Sequence, residues 1–109
     1  MAQFDVYRNK GPLKDTVPYV VVVQSSLFDG YRRRVVVPLV KKSRIAKSAS
    51  ILAHRMNPVF RFKGMDLVLH PLDLVSVSID QLGDLAGSLS EQGQAIADAL
   101  DELLTRTWN

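Results

Sequence analysis

Between Tyr19 and Leu39 the chain carries two valine-dominated runs, Tyr-Val-Val-Val-Val-Gln and Val-Val-Val-Pro-Leu, separated by Ser-Ser-Leu-Phe-Asp-Gly-Tyr-Arg-Arg-Arg. Branching at Cβ stiffens valine and suits it to a pleated surface, so two such runs flanking a link predict an antiparallel strand pair. Asp29-Gly30 is expected to make the reversal, because glycine tolerates positive φ. Leu27 and Phe28 lie in this link beside three arginines. Arg32, Arg33 and Arg34 cannot all point inward, since strand side chains alternate faces and an unpaired buried guanidinium is very costly. The triplet fits two readings: a charged edge that discourages strand-to-strand aggregation, or a surface made for contact.

The remaining chain adds strands and one helix. Gln3 to Arg8 alternates in polarity as a half-buried strand does, and Asn9 to Val17, with Gly11, Pro12 and Asp15, reads as a loop. Pro38 has no N–H and is expected at a bulge or an unpaired edge position. Lys41 to Met56 shows neither a 3.6 nor a 2 period and reads as a long basic excursion with one helical turn. Val59–Phe62 and Met65–Leu69 flank Lys63-Gly64 as a hairpin, and Leu74 to Ile79 reads as a further strand. The last segment predicts a helix, with Ser88 and Glu91 as a capping box. Leu89, Ile96, Leu100, Leu103 and Leu104 form its apolar face, and Asp98, Asp101 and Glu102 line the other. Gly93 weakens that helix but permits close approach of another backbone. Arg106 falls where the helix dipole favours a cation.

At 109 residues the chain is expected to form one domain, 1–109, with a modest core extended by homodimerisation. It has no cysteine, which excludes disulfides and thiolate metal sites. No apolar run approaches membrane-spanning length and the amino terminus does not read as a leader, so a soluble cytoplasmic protein is expected. The net charge of +3 conceals a division. Residues 1–63 hold thirteen of the fourteen Lys and Arg against three acids, +10; residues 64–109 hold only Arg106 against eight acids, −7. Such a chain attracts an acidic partner to one face. Protein is favoured over nucleic acid, because the arginines are not interleaved with a stacking platform and the acidic half opposes a phosphate backbone.

Catalytic groupings are not evident. His54 and His70 have no Ser, Cys or Glu in a recognisable spacing, and two isolated histidines do not make a zinc site. The six glycines are scattered singly, so there is no phosphate-binding loop. The acids of the helix read more readily as a solvated face than as a metal site. Neither enzymatic activity, a cofactor nor a metal is expected. Recognition remains, with Leu27 and Phe28, the arginines, the basic excursion and Leu103 to Asn109 as candidates. Trp108 stands out as the one tryptophan, placed where chains are normally frayed. It is either an exposed hot spot or a residue folded back on the domain or across a dimer.

Several segments together resemble the CcdB toxin family: Gln3-Phe4-Asp5-Val6-Tyr7, Val23-Gln24-Ser25 with Leu27-Phe28-Asp29, Arg33 to Leu39, Asn57-Pro58-Val59, Val75-Ser76-Val77 and Ala99 to Thr105. They occur in the family's order at nearly its spacing. The resemblance implies a mainly antiparallel β domain with a carboxyl-terminal helix, an SH3-like barrel of the CcdB/MazF kind, forming a homodimer. It implies the toxin of a type II toxin–antitoxin system. Such a toxin binds the gyrase A subunit, meets DNA only through gyrase, traps the cleaved complex and is neutralised by an acidic CcdA-like antitoxin. By the same resemblance, Leu27, Phe28, Asp98, Asp101, Leu104 and Thr105 would meet gyrase, with Arg106, Thr107, Trp108 and Asn109 at the poisoning end. Lys10, Gly11, Lys14, Lys41, Lys42, Ser43, Arg44 and Lys47 would meet antitoxin. Family members end in an aromatic or Thr followed by Gly-Ile. An ungapped helix stripe puts Thr105, Arg106 and Thr107 there, with Trp108-Asn109 as an extension. Matching by chain end needs a three-residue insertion that would turn the apolar face by about 300°, so the first register is preferred. Two alternatives are a non-poisoning homologue that still dimerises and binds antitoxin, and a MazF-like endoribonuclease.

Overall fold

A computed structural model describes residues 1–46 and 54–108. Among these residues seven strands, β1 (Asp5–Asn9), β2 (Tyr19–Val22), β3 (Arg33–Lys41), β4 (Val59–Phe62), β5 (Met65–Leu69), β6 (Val75–Ser78) and β7 (Leu82–Ser88), precede one α-helix, α1 (Gly93–Leu104). The strands pair antiparallel in the order β4-β5-β3-β2-β1-β7, with β6 also on β3, and curl into a half-barrel.

The expected β2–β3 pair is the centre of the sheet, in a register running from Tyr19 opposite Leu39 to Val22 opposite Val36. Alternation sends Tyr19, Val21, Val37 and Leu39 to the face that α1 covers, where they meet Phe60, Phe62, Leu67, Leu69 and Ile96. Val22 and Val36, which point the other way, are also almost fully buried. Burial of both faces explains unbroken valine where a half-exposed strand would alternate. Each fully buried side chain of this kind contributes about 1.5–3 kcal/mol.

Pro38 sits at a fork. One edge of β3 pairs with β6 over Arg33–Val36 and with β5 over Leu39–Lys41. The Pro38 carbonyl, which accepts from His70 N at 3.1 Å, faces that edge. In an antiparallel strand the missing N–H faces the same way, so the absent donor falls where one partner strand gives way to the next. The Lys63-Gly64 hairpin is present; φ values of 48° and 80° suit a two-residue turn matched to strand twist.

Three expectations change. β7 was not anticipated, because its sequence Leu-Gly-Asp-Leu-Ala-Gly-Ser has low strand propensity. Its glycines instead meet steric demands: a Cβ at Gly83 would stand 2.6 Å from the Arg8 carbonyl oxygen, and one at Gly87 would press on the Phe62 ring. Ser88 closes β7 and accepts from Ser90 N rather than joining Glu91 in a capping box; a 3₁₀ turn at Ser90–Gln92 leads into α1. Gly93 makes room for a side chain, not a backbone. The Phe4 ring occupies its space, with Cε2 2.7 Å from where a Cβ would be, and Phe4 adopts φ 70°. Within Lys41 to Met56 the structure describes a 3₁₀ turn at Lys42–Arg44; residues 47–53 lie outside the described residues.

Candidate recognition surfaces

The β2–β3 connection folds into a compact knob. Ser25 Oγ accepts from Leu27 N and starts a 3₁₀ turn at Ser26–Phe28. This turn begins the reversal, and Gly30 does not adopt the positive φ expected of it. Gln24 ties the base of the loop: its Nε2 donates to the carbonyls of Phe28 and Arg33, and its Oε1 accepts from Val35 N at 3.0 Å. Leu27 is 87% exposed, Phe28 51% and Tyr31 69%, a concentration of apolar surface that makes the knob a candidate for contact. The Phe28 and Tyr31 rings lie 6.4 Å apart, and Phe28, Tyr31, Gln24 and Val35 line a shallow groove of about 520 Å³. Sequence reasoning missed Tyr31; an aromatic three residues after Phe28 was the available signal.

The arginines divide by position. Arg32 and Arg33 are exposed but engaged, Arg32 with Asp80 at 2.7 Å and Arg33 with the hydroxyl and carbonyl of Ser76. Arg34 is buried, at 5% exposure, and donates to the carbonyls of Asp29, Tyr31 and Arg33. Asp29 and Arg34 also act on Tyr7. Burial first, then the charge of Asp5, raises the Tyr7 hydroxyl above its ordinary 10.0, with Arg34 opposing.

The helix end offers a second apolar surface. Asp98 and Asp101 are exposed, accepting from Gln94 and from the Thr105 hydroxyl. The Asp101 carbonyl receives the N–H groups of both Thr105 and Arg106, which closes the helix. Arg106 pairs with Glu102 at 3.0 Å. Leu104 does not belong to the core stripe: it is 64% exposed, and Ala99 occupies the buried position beside Ile96. Thr105, Arg106 and Thr107 are exposed and Trp108 is 80% exposed; Asn109 lies outside the described residues. Among the described residues, no hydrogen bond or ion pair joins this end to the knob.

The lysine-bearing loops meet at the opposite end of the β2–β3 pair, where Lys41 N donates to the Thr16 carbonyl at 2.9 Å. Lys14, Lys42, Ser43 and Arg44 are exposed. Gly11 N donates to Asn9 Oδ1, and Lys10 Nζ to the Asp80 carbonyl. Lys41, Lys42 and Ser43 face Met65 and Asp66 across a groove of about 590 Å³, and Lys47 lies outside the described residues. A more apolar groove of about 360 Å³ opens beside Leu13 and Val17, floored by Val36 and Val75. The structure thus brings the two lysine loops together through Lys41 and Thr16, while Lys10 reaches Asp80, the ion-pair partner of Arg32 beside Tyr31.

His54 Nδ1 accepts from Met56 N, while His70 Nδ1 lies 3.4 Å from Asp73 without hydrogen-bond geometry. Among the described residues no group of three His, Cys, Asp or Glu is placed to hold a metal, and no helix is long and apolar enough to cross a membrane.

Comparison with known proteins adds identity to this geometry. A solved endoribonuclease in complex with its cognate antitoxin, from a Mycobacterial species, has a TM-score of 0.74 to this chain at 16% identity. The match covers 100% of this chain and 99% of that one, a likeness of fold. No curated protein matches. The profile described as CcdB protein matches residues 3–105, nearly the full described fold, including the knob, the lysine loops and the helix end up to Thr105. The chain belongs to the CcdB family.

Proposed function

We propose that this protein is a gyrase-poisoning toxin: a homodimer that binds the gyrase A subunit, holds gyrase on cleaved DNA and is released by a CcdA-like antitoxin. Membership of the CcdB family makes it the toxin of a toxin–antitoxin module and carries the reading. The Leu27–Phe28 knob supports the gyrase step, because a preformed exposed apolar pair can enter a partner's pocket without first being ordered. On this reading Leu27, Phe28, Asp98, Asp101, Leu104, Thr105 and the segment Arg106 to Asn109 contact gyrase. Lys10, Gly11, Lys14, Lys41, Lys42, Ser43, Arg44 and Lys47 contact antitoxin, whose acidic, partly disordered chain gains area by folding on binding. No bond is made or broken by the toxin, and it needs neither metal nor cofactor.

Induced expression in a sensitive host tests this. Growth arrest with gyrase-linked DNA breaks is expected, and the purified protein should bind a gyrase A fragment. Normal growth with antitoxin binding retained would instead identify a non-poisoning homologue. The fold likeness to an endoribonuclease favours one further reading, RNA cleavage; cleaved transcripts with intact DNA in arrested cells would establish it.

A further inference from the structure

We propose that Arg34 is a positioning residue that holds the Leu27–Phe28–Tyr31 cluster in its contact shape before a partner arrives; its functional consequence rests on the gyrase reading above. Arg34 stands at the start of β3, opposite Val77, at 5% exposure. Its Nη1 donates to the carbonyls of Tyr31 and Arg33, and its Nη2 to that of Asp29 at 3.0 Å. Two of the acceptors, Asp29 and Tyr31, lie between the 3₁₀ turn and β3, and the third, Arg33, is the first residue of β3. The Nε lies 3.7 Å from Asp29 Oδ1 with no hydrogen-bond partner, so the carbonyls, more than the carboxylate, bind the guanidinium.

A buried charge persists only where the fold compensates it, and here the compensation comes from the loop that displays the apolar cluster. The guanidinium's planar fork serves several carbonyls at once, which a lysine ammonium on a flexible stem does not reproduce. Removing it takes the guanidinium from the Asp29 and Tyr31 carbonyls, while that of Arg33 keeps Gln24, and frees the loop to sample other shapes. Each shape incompatible with the partner lowers the fraction able to bind.

Amide hydrogen exchange on the full-length protein tests the hold directly. In Arg34→Lys, exchange at Phe28, Asp29 and Tyr31, whose N–H groups close the loop's own turns, should rise about tenfold, while Val21 and Val37 stay unchanged. Affinity for a gyrase A fragment should fall about tenfold, with antitoxin affinity kept. Asp29→Asn, which retains the Asp29 carbonyl, should resemble wild type in both assays. Exchange rising equally at Val21 and Val37 would make Arg34 a general core residue and overturn the proposal. So would an unchanged loop, unchanged gyrase affinity with a loosened loop, or an Asp29→Asn effect as large as that of Arg34→Lys. A wild-type protein with no affinity for gyrase would defeat the gyrase reading, while the exchange profile would still decide the hold.

Discussion

The two ends of the β2–β3 pair are built on opposite principles. The knob end presents Leu27, Phe28 and Tyr31 on a loop braced by Gln24 and a buried arginine. The other end presents Lys14, Lys42 and Arg44 with their charges in water, and its best-defined link is a backbone bond from Lys41 to Thr16. Apolar contacts depend on fit, so their support is rigid; charges act over distance and tolerate loose support. One small sheet can therefore serve two partners of different chemistry.

The strongest challenge to this division is removal of Thr107 to Asn109, which should abolish growth arrest yet leave antitoxin binding intact; killing by the shortened chain would separate the terminus from poisoning. Next, Leu27→Asp should weaken binding to a gyrase A fragment about 100-fold, with antitoxin affinity and Tm nearly unchanged, because the side chain is 87% exposed. Titration calorimetry against both partners would show it. At the basic end, Lys42→Glu should slow antitoxin association about tenfold at low salt and little at high salt, leaving gyrase binding alone. Equal loss for both partners would collapse the distinction.

Changes outside both ends should affect them equally. Gly83→Ala forces a Cβ against the Arg8 carbonyl and should cost about 1–3 kcal/mol in chemical denaturation without favouring either partner. The smallest effect concerns Tyr7. Its raised value means the folded protein keeps the phenolic proton more tightly than the unfolded chain. This contribution is complete below the ordinary 10.0 and is lost as pH rises through the folded-state value. Tyr7→Phe should flatten that alkaline fall; an unchanged slope would place its origin elsewhere.

The valine strands, the Lys63-Gly64 turn and the helix were legible because their signals are local. β7 was not, since Gly83 and Gly87 answer to neighbours on other strands. Alternation and charge required only that the three arginines not all point inward; that Arg32 and Arg33 are the exposed ones, and that the loop's own carbonyls make a home for Arg34, the same rule could not reveal. Leu104 and Ala99 show a similar limit. Hydrophobicity ranks the leucine as the core residue, whereas Leu104 is the last residue of the helix and 64% exposed, and Ala99, in the core cluster with Ile96, is fully buried. Tyr31, likewise, became a candidate only when the turn brought its ring beside Phe28.

The fork at Pro38 bears on how safely such a chain accumulates. A long strand rich in valine is the sort of segment that recruits its own kind through unfilled hydrogen bonds. Here β3 has neighbours along both margins, and the single gap between two of them coincides with a residue that has no hydrogen to offer. The sheet's free edges belong to β4, interrupted by solvent-facing Arg61, to the glycine-bearing β7 with Asp84, and to β6, which is only four residues long. Each is a poor template for fibrils.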